Sequence, residues 1–173
     1  MIYIHRILKL LVLVTTPLLV IVAISLLRSK YTNTPIYVHP EFHPYLESFK
    51  KDADTYKVHV DFYKMVTVFS NMKGESPVAA YCLPATNTVV VSINTWNSID
   101  FKTRKALLYH EWGHCLLKRD HAENINYSTM CPESLMFPYI DPLQRCYQLH
   151  ESSYNKELFT NPYNYKTFAR REK

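Results

Sequence analysis

His110 and His114 stand four residues apart with Glu111 between them, and no other feature constrains this chain so tightly. On a helix, residues i and i+4 share one face, a turn apart, so both imidazoles can reach a single metal ion. Glu111 is rotated to the edge of that face. It is badly placed to be a ligand and well placed to take a proton from water activated by the metal. Zinc in such a setting lowers the pKa of water towards about 7 and polarises a carbonyl, while the Glu passes the proton to a leaving amine. The surrounding residues fit a helix: Asp100 is a good N-cap, and the pattern predicts a helix from Phe101 to about Leu117.

Two protein ligands are too few for a catalytic zinc, which takes three and keeps a position for water. The stretch after the predicted helix offers Asp120 and His121; His121 is the favoured third ligand, because neutral imidazole is the commoner one, with Asp120 as the alternative. His39, His43, His59 and His150 have no ligand spacing to the motif and read as structural or exposed.

The stretch from His110 to His121 resembles a group of bacterial metallopeptidases of metzincin type, whose pattern is His-Glu-Leu-Gly-His-Cys, then Leu, Arg and His. This chain departs at Trp112, where the group has Leu. The likeness also touches Ala80-Tyr81-Cys82, Trp96, Ser134-Leu135-Met136 and Glu157-Leu158-Phe159, and covers roughly residues 36–160. It implies a zincin-like fold and zinc-dependent peptide hydrolysis, with Glu111 as general base. The group's last His falls on His121. Metzincins at large carry the third His ten residues after the first, behind a helix-breaking Gly. Here those positions hold Asp120 and Leu117, so the missing Gly suggests a slightly longer helix and a shifted register. Ser134-Leu135-Met136 resembles the Met-turn, in which a Met forms an apolar floor under the imidazoles. Tyr139 is a candidate oxyanion donor, although related enzymes place a Tyr one residue nearer that Met.

The first 30 residues are of a different kind. Leu10 to Leu27 is 18 residues without a charge. At about 1.5 Å per residue that is near the lower limit for crossing a bilayer core. We read residues 1–30 as a membrane anchor, the alternative being a cleaved export signal, with the following domain outside the cytoplasm. Arg6, Lys9, Arg28 and Lys30 supply four of the five net positive charges, so the rest is near neutral. That balance leaves no basic stripe for nucleic acid. Cys82, Cys115, Cys131 and Cys146 are an even set in a chain with an export-type start, which fits disulfides in an oxidising compartment. Of the three pairings, Cys82–Cys115 and Cys131–Cys146 are favoured. The first would tie a strand to the motif helix. The second would close a loop around the Met136 segment.

Elsewhere the pattern predicts a helix over 44–56 and strands over 58–62, 65–69, 78–83 and 88–93. A turn around Gly74, an irregular segment after Lys118, a last helix within 142–159 and a polar tail over 161–173 complete the reading. The expectation is therefore an α+β domain over residues 31–160, with one mixed sheet backing the motif helix. Its partners would be a peptide or protein substrate and, through residues 1–30, a membrane. Two rivals stand beside peptide hydrolysis: a non-catalytic zinc-binding membrane protein, and a zinc amidase acting on a non-peptide or cell-wall amide. Nothing in the sequence speaks to oligomeric state.

Overall fold

The computed structural model describes residues 37–71 and 78–160. The anchor or signal segment, the turn around Gly74 and the polar tail lie outside the described residues. Among the described residues no helix is long and apolar enough to cross a membrane.

The chain enters through a short strand β1 (Tyr37–Val38) and one turn of 3-10 helix, Pro40–Phe42, before helix α1 (His43–Thr55). Tyr45, Leu46, Phe49 and Ala53 form the buried stripe of α1, at the three- and four-residue spacing that predicts a helix here. Strand β2 (Val66–Ser70) follows, then the hairpin of β3 (Ala80–Leu83) and β4 (Thr88–Ser92). The hairpin turn places Asn87 at φ 49°, one of the few non-glycine residues that tolerates this backbone. Helices α2 (Ile93–Ser98), α3 (Phe101–Cys115) and α4 (Ile140–Thr160) complete the main elements. Between α3 and α4 lies a small antiparallel pair, β5 (Ile125–Asn126) and β6 (Cys131–Pro132).

The main sheet has the order β1-β2-β4-β3. β1, β2 and β4 run parallel, and β3 pairs antiparallel with β4. The expected α+β arrangement with a mixed sheet is thus present, and β3 forms one edge. Two expectations need correction. Residues 58–62 alternate in burial, with Val60 buried and Val58 and Phe62 packed on the core, but they make no ladder. Their period of two reflects packing on the core, not strand pairing. α3 ends at Cys115, not at Leu117, because Lys118 turns the chain with φ 54°.

α3 sits at the centre. Its buried residues run without interruption from Ala106 to Gly113, and Cys115 follows. Such a helix is covered on all sides instead of presenting one apolar stripe. Asp100 caps it, accepting from the amides of Lys102 (2.9 Å) and Thr103 (3.1 Å). Trp112 is fully buried and donates its indole N–H to Thr67 Oγ1 of β2 at 3.2 Å. It also meets Phe49 of α1 edge to face, at 5.3 Å between centroids. This explains Trp112 in the motif: a bulky ring fills the space between helix and sheet, and its polar edge finds a partner.

Both favoured disulfides are formed, Cys82–Cys115 and Cys131–Cys146. The first staples edge strand β3 to the end of α3. The second ties β6 to α4. Two disulfides fit an oxidising environment.

Candidate metal centre

His110 and His114 lie one turn apart on α3, and His121 reaches them from the loop that follows. One ring nitrogen from each lies within 4.8 Å of the others. The Nε2 atoms of His110 and His114 are 3.0 Å apart. For comparison, two nitrogens bound tetrahedrally at about 2.0–2.1 Å from one zinc would be roughly 3.3 Å apart. Asp120, the alternative third ligand, lines the same cleft but is not part of this converging group.

The register that delivers His121 comes from the turn, not from a longer helix. The amides of Leu116 and Leu117 both bond to the Trp112 carbonyl, at 2.7 and 3.3 Å, and the Arg119 amide bonds to that of Gly113 at 3.0 Å. Between them Lys118, with its positive φ, does what a C-terminal Gly usually does. Its ammonium group bonds to the Cys115 carbonyl at 2.6 Å and to Asn87 Oδ1 at 2.9 Å, which holds the turn.

The tautomers follow from the partners. His110 Nδ1 lies 2.9 Å from the Leu135 carbonyl, and His114 Nδ1 lies 2.6 Å from the Arg119 carbonyl. A carbonyl only accepts, so each Nδ1 carries the proton and donates. Each Nε2 then offers its lone pair while the ring is neutral. Burial depresses the pKa of all three imidazoles. For His110 the value falls to about 3, with the neighbouring His114 adding to the effect of burial. Two neutral rings therefore aim lone pairs at one point, an arrangement that a shared cation satisfies. Backbone carbonyls that fix the far nitrogen are the usual second layer of a histidine metal site. The donor set fits a metal ion.

Glu111 lies in the same cleft and is 5% exposed. Burial pushes its carboxyl up to about 8, while a hydrogen bond from the Cys82 backbone amide pulls the other way. The edge strand β3 thus touches the carboxylate directly. The cleft has a volume of about 1210 Å³. Tyr81 and Cys82 of β3 line it, as do the three His, Glu111 and the segment from Phe137 to Ile140. Tyr139 lies on its rim and is 67% exposed.

Met136 is fully buried. A Cβ at Gly113 would sit 2.6 Å from its sulfur and 3.1 Å from Leu158 Cδ1. The glycine between His110 and His114 is therefore there for close approach. It lets Met136 lie directly against the helix that carries both imidazoles.

Sequence reasoning missed the polar buckle beneath this site. Arg119, 4% exposed, donates through Nη1 to the carbonyls of Glu157 (3.1 Å) and Leu158 (2.8 Å), and through Nη2 to Glu157 Oε1 (2.5 Å). Ser134 donates to Glu157, and the Glu157 carboxylate also takes the Leu135 amide at 3.2 Å. Glu157-Leu158-Phe159 is singled out in the sequence, but nothing there joins it to Arg119 or Ser134. No protein-family model, curated protein or solved structure matches the chain.

Proposed function

We propose that the protein is a zinc-dependent peptidase of metzincin-like type, with His110, His114 and His121 holding the ion and Glu111 as general base. One observation carries this reading: three imidazoles converge, two with their far nitrogens fixed on carbonyls, beside a buried carboxylate in one cleft. A three-histidine donor set suits zinc and leaves a coordination position for chemistry. The ion, when bound, supplies Lewis acidity that lowers the pKa of water and polarises a carbonyl.

The chain's own groups do the rest. Glu111 takes a proton from water as its oxygen attacks the scissile carbonyl carbon. The C–N bond breaks, and Glu111 returns the proton to the amine nitrogen. Burial raises the pKa of the carboxyl and a bound cation would lower it, so the ion would favour the carboxylate form that a general base needs. The cleft is large enough for an extended peptide, and β3 at its rim is an open sheet edge that such a peptide could pair with. Met136 would act as the apolar floor of the Met-turn, and Tyr139 on the rim is the candidate oxyanion donor. Residues 1–30 would hold the domain at a membrane outside the cytoplasm, or be removed on export. The two disulfides support that placement.

Metal content of single variants tests the centre. His110→Ala and His114→Ala should lose zinc and lower stability, since binding is linked to folding. His121→Ala should lose zinc and Asp120→Ala should keep it. The reverse pattern would move the third ligand to Asp120.

A further inference from the structure

We infer that Glu157 is a positioning residue for the metal centre: from α4, one carboxylate locks both backbone carbonyls that orient the His110 and His114 imidazoles. The inference rests on the metal-binding reading above and goes beyond it, because Glu157 is not in the converging group and lies on a separate helix.

The connection is short on both sides. The Leu135 carbonyl receives His110 Nδ1. The segment that carries it is held by Glu157 through the Leu135 amide (3.2 Å) and the Ser134 hydroxyl, 3.0 Å from each carboxylate oxygen. Ser134 Oγ in turn accepts from the Met136 amide at 3.0 Å. The Arg119 carbonyl receives His114 Nδ1. That residue's guanidinium pairs with Glu157 Oε1 and grips the Glu157 and Leu158 carbonyls. Two loops distant in sequence thus meet on one carboxylate. Arg119 and Ser134 are each only 4% exposed and the Glu157 side chain 16%, so these bonds are largely shielded from water. Charge-assisted bonds of this kind are the strong ones and hold geometry well.

A carboxylate so placed controls ring orientation, not metal contact. Second-layer groups of this sort typically change metal affinity by about 10- to 100-fold when replaced. Glu157→Gln keeps the size and some of the bonds but removes the charge that Arg119 pairs with. A purely structural role would lower stability and leave the affinity of the folded protein alone. Asn155→Ala is the control. It is on the same helix and loses a buried bond from Tyr147 and a part-buried one to Asp52, at 2.9 Å each, and neither bond involves Arg119 or Ser134.

The test is a Co²⁺ titration of the metal-stripped full-length chain, read by the visible absorption of the bound ion and done where unfolding curves show each variant folded. Glu157→Gln should bind about 10- to 100-fold more weakly, with an altered spectrum. Asn155→Ala should stay within about threefold of wild type. Should Glu157→Gln not fold, Ser134→Ala is read the same way, with a loss of severalfold expected. Unchanged affinity and spectrum in the Glu157 or Ser134 variant, or an equal loss in Asn155→Ala, would overturn the assignment and leave the metal centre standing. A wild-type chain that binds no Co²⁺ would overturn both.

Discussion

Replacing Glu111 by Gln should stabilise the metal-free protein, by an amount that grows with pH. The carboxyl titrates at 4.5 when unperturbed and at about 8 in the fold, because burial disfavours its charge. Between those values the folded chain keeps a proton that the unfolded chain has lost. Wild-type stability therefore falls as pH rises through this window, at up to about 1.4 kcal/mol per unit. Gln has no proton to lose and escapes that slope. The depressed imidazoles of His110, His114 and His121 give the opposite slope below about 6.5, but both proteins share it, so it cancels in the difference. The variant should be more stable by under about 1 kcal/mol at pH 5 and by about 3 kcal/mol at pH 7. Urea unfolding of the chelator-treated proteins across this range measures the difference. Zinc should shrink it at pH 7, because the ion favours the carboxylate. A difference that does not vary with pH, or a less stable variant at pH 7, would refute the argument.

Gly113→Ala tests the packing under the site. A helix gains about 1 kcal/mol from this change at an open position. Here the new Cβ would meet the Met136 sulfur at 2.6 Å, and overpacking costs about 1–3 kcal/mol. Unfolding should show no gain and a loss of up to about 2 kcal/mol; a clear gain would mean that Met136 moves aside freely. Replacing both Cys131 and Cys146 by Ser opens a link between residues 15 apart and should cost about 3 kcal/mol in the loop-entropy account. Equal unfolding midpoints with and without this bond would contradict that figure. Non-reducing peptide mapping should also show the Cys82–Cys115 pair, and two free thiols there would remove the staple between β3 and α3.

What could be read from the sequence was mostly local. The cap at Asp100 and the spacing of His110, Glu111 and His114 are properties of one helix, and the structure places them as that spacing requires. The two strands over 80–92 were visible as β-rich runs, and the structure adds that they pair as a hairpin. The sequence already favours His121 over its neighbour Asp120, and the structure brings His121, not Asp120, into the converging group through a turn that the sequence does not reveal. The reason is the backbone of Lys118, since a left-handed lysine has no sequence signature. Residues 58–62 misled because alternation reports burial on one side, and packing on the core produces it as well as a ladder does. The Arg119–Glu157–Ser134 buckle was out of reach, since it joins residues 15–38 positions apart through contacts that only tertiary structure creates.

The most direct test of the central claim is zinc content and peptide cleavage measured on the same samples of wild type and Glu111→Gln. A general base that is not a ligand makes a sharp prediction. Both proteins should hold one zinc per chain, and wild type should cleave members of a peptide library. The variant should be slower by at least about 10²–10⁴-fold, the usual worth of acid–base catalysis. Equal cleavage by the two zinc-loaded proteins would contradict the mechanism. Zinc-loaded wild type that cleaves no peptide would contradict the assignment as a peptidase.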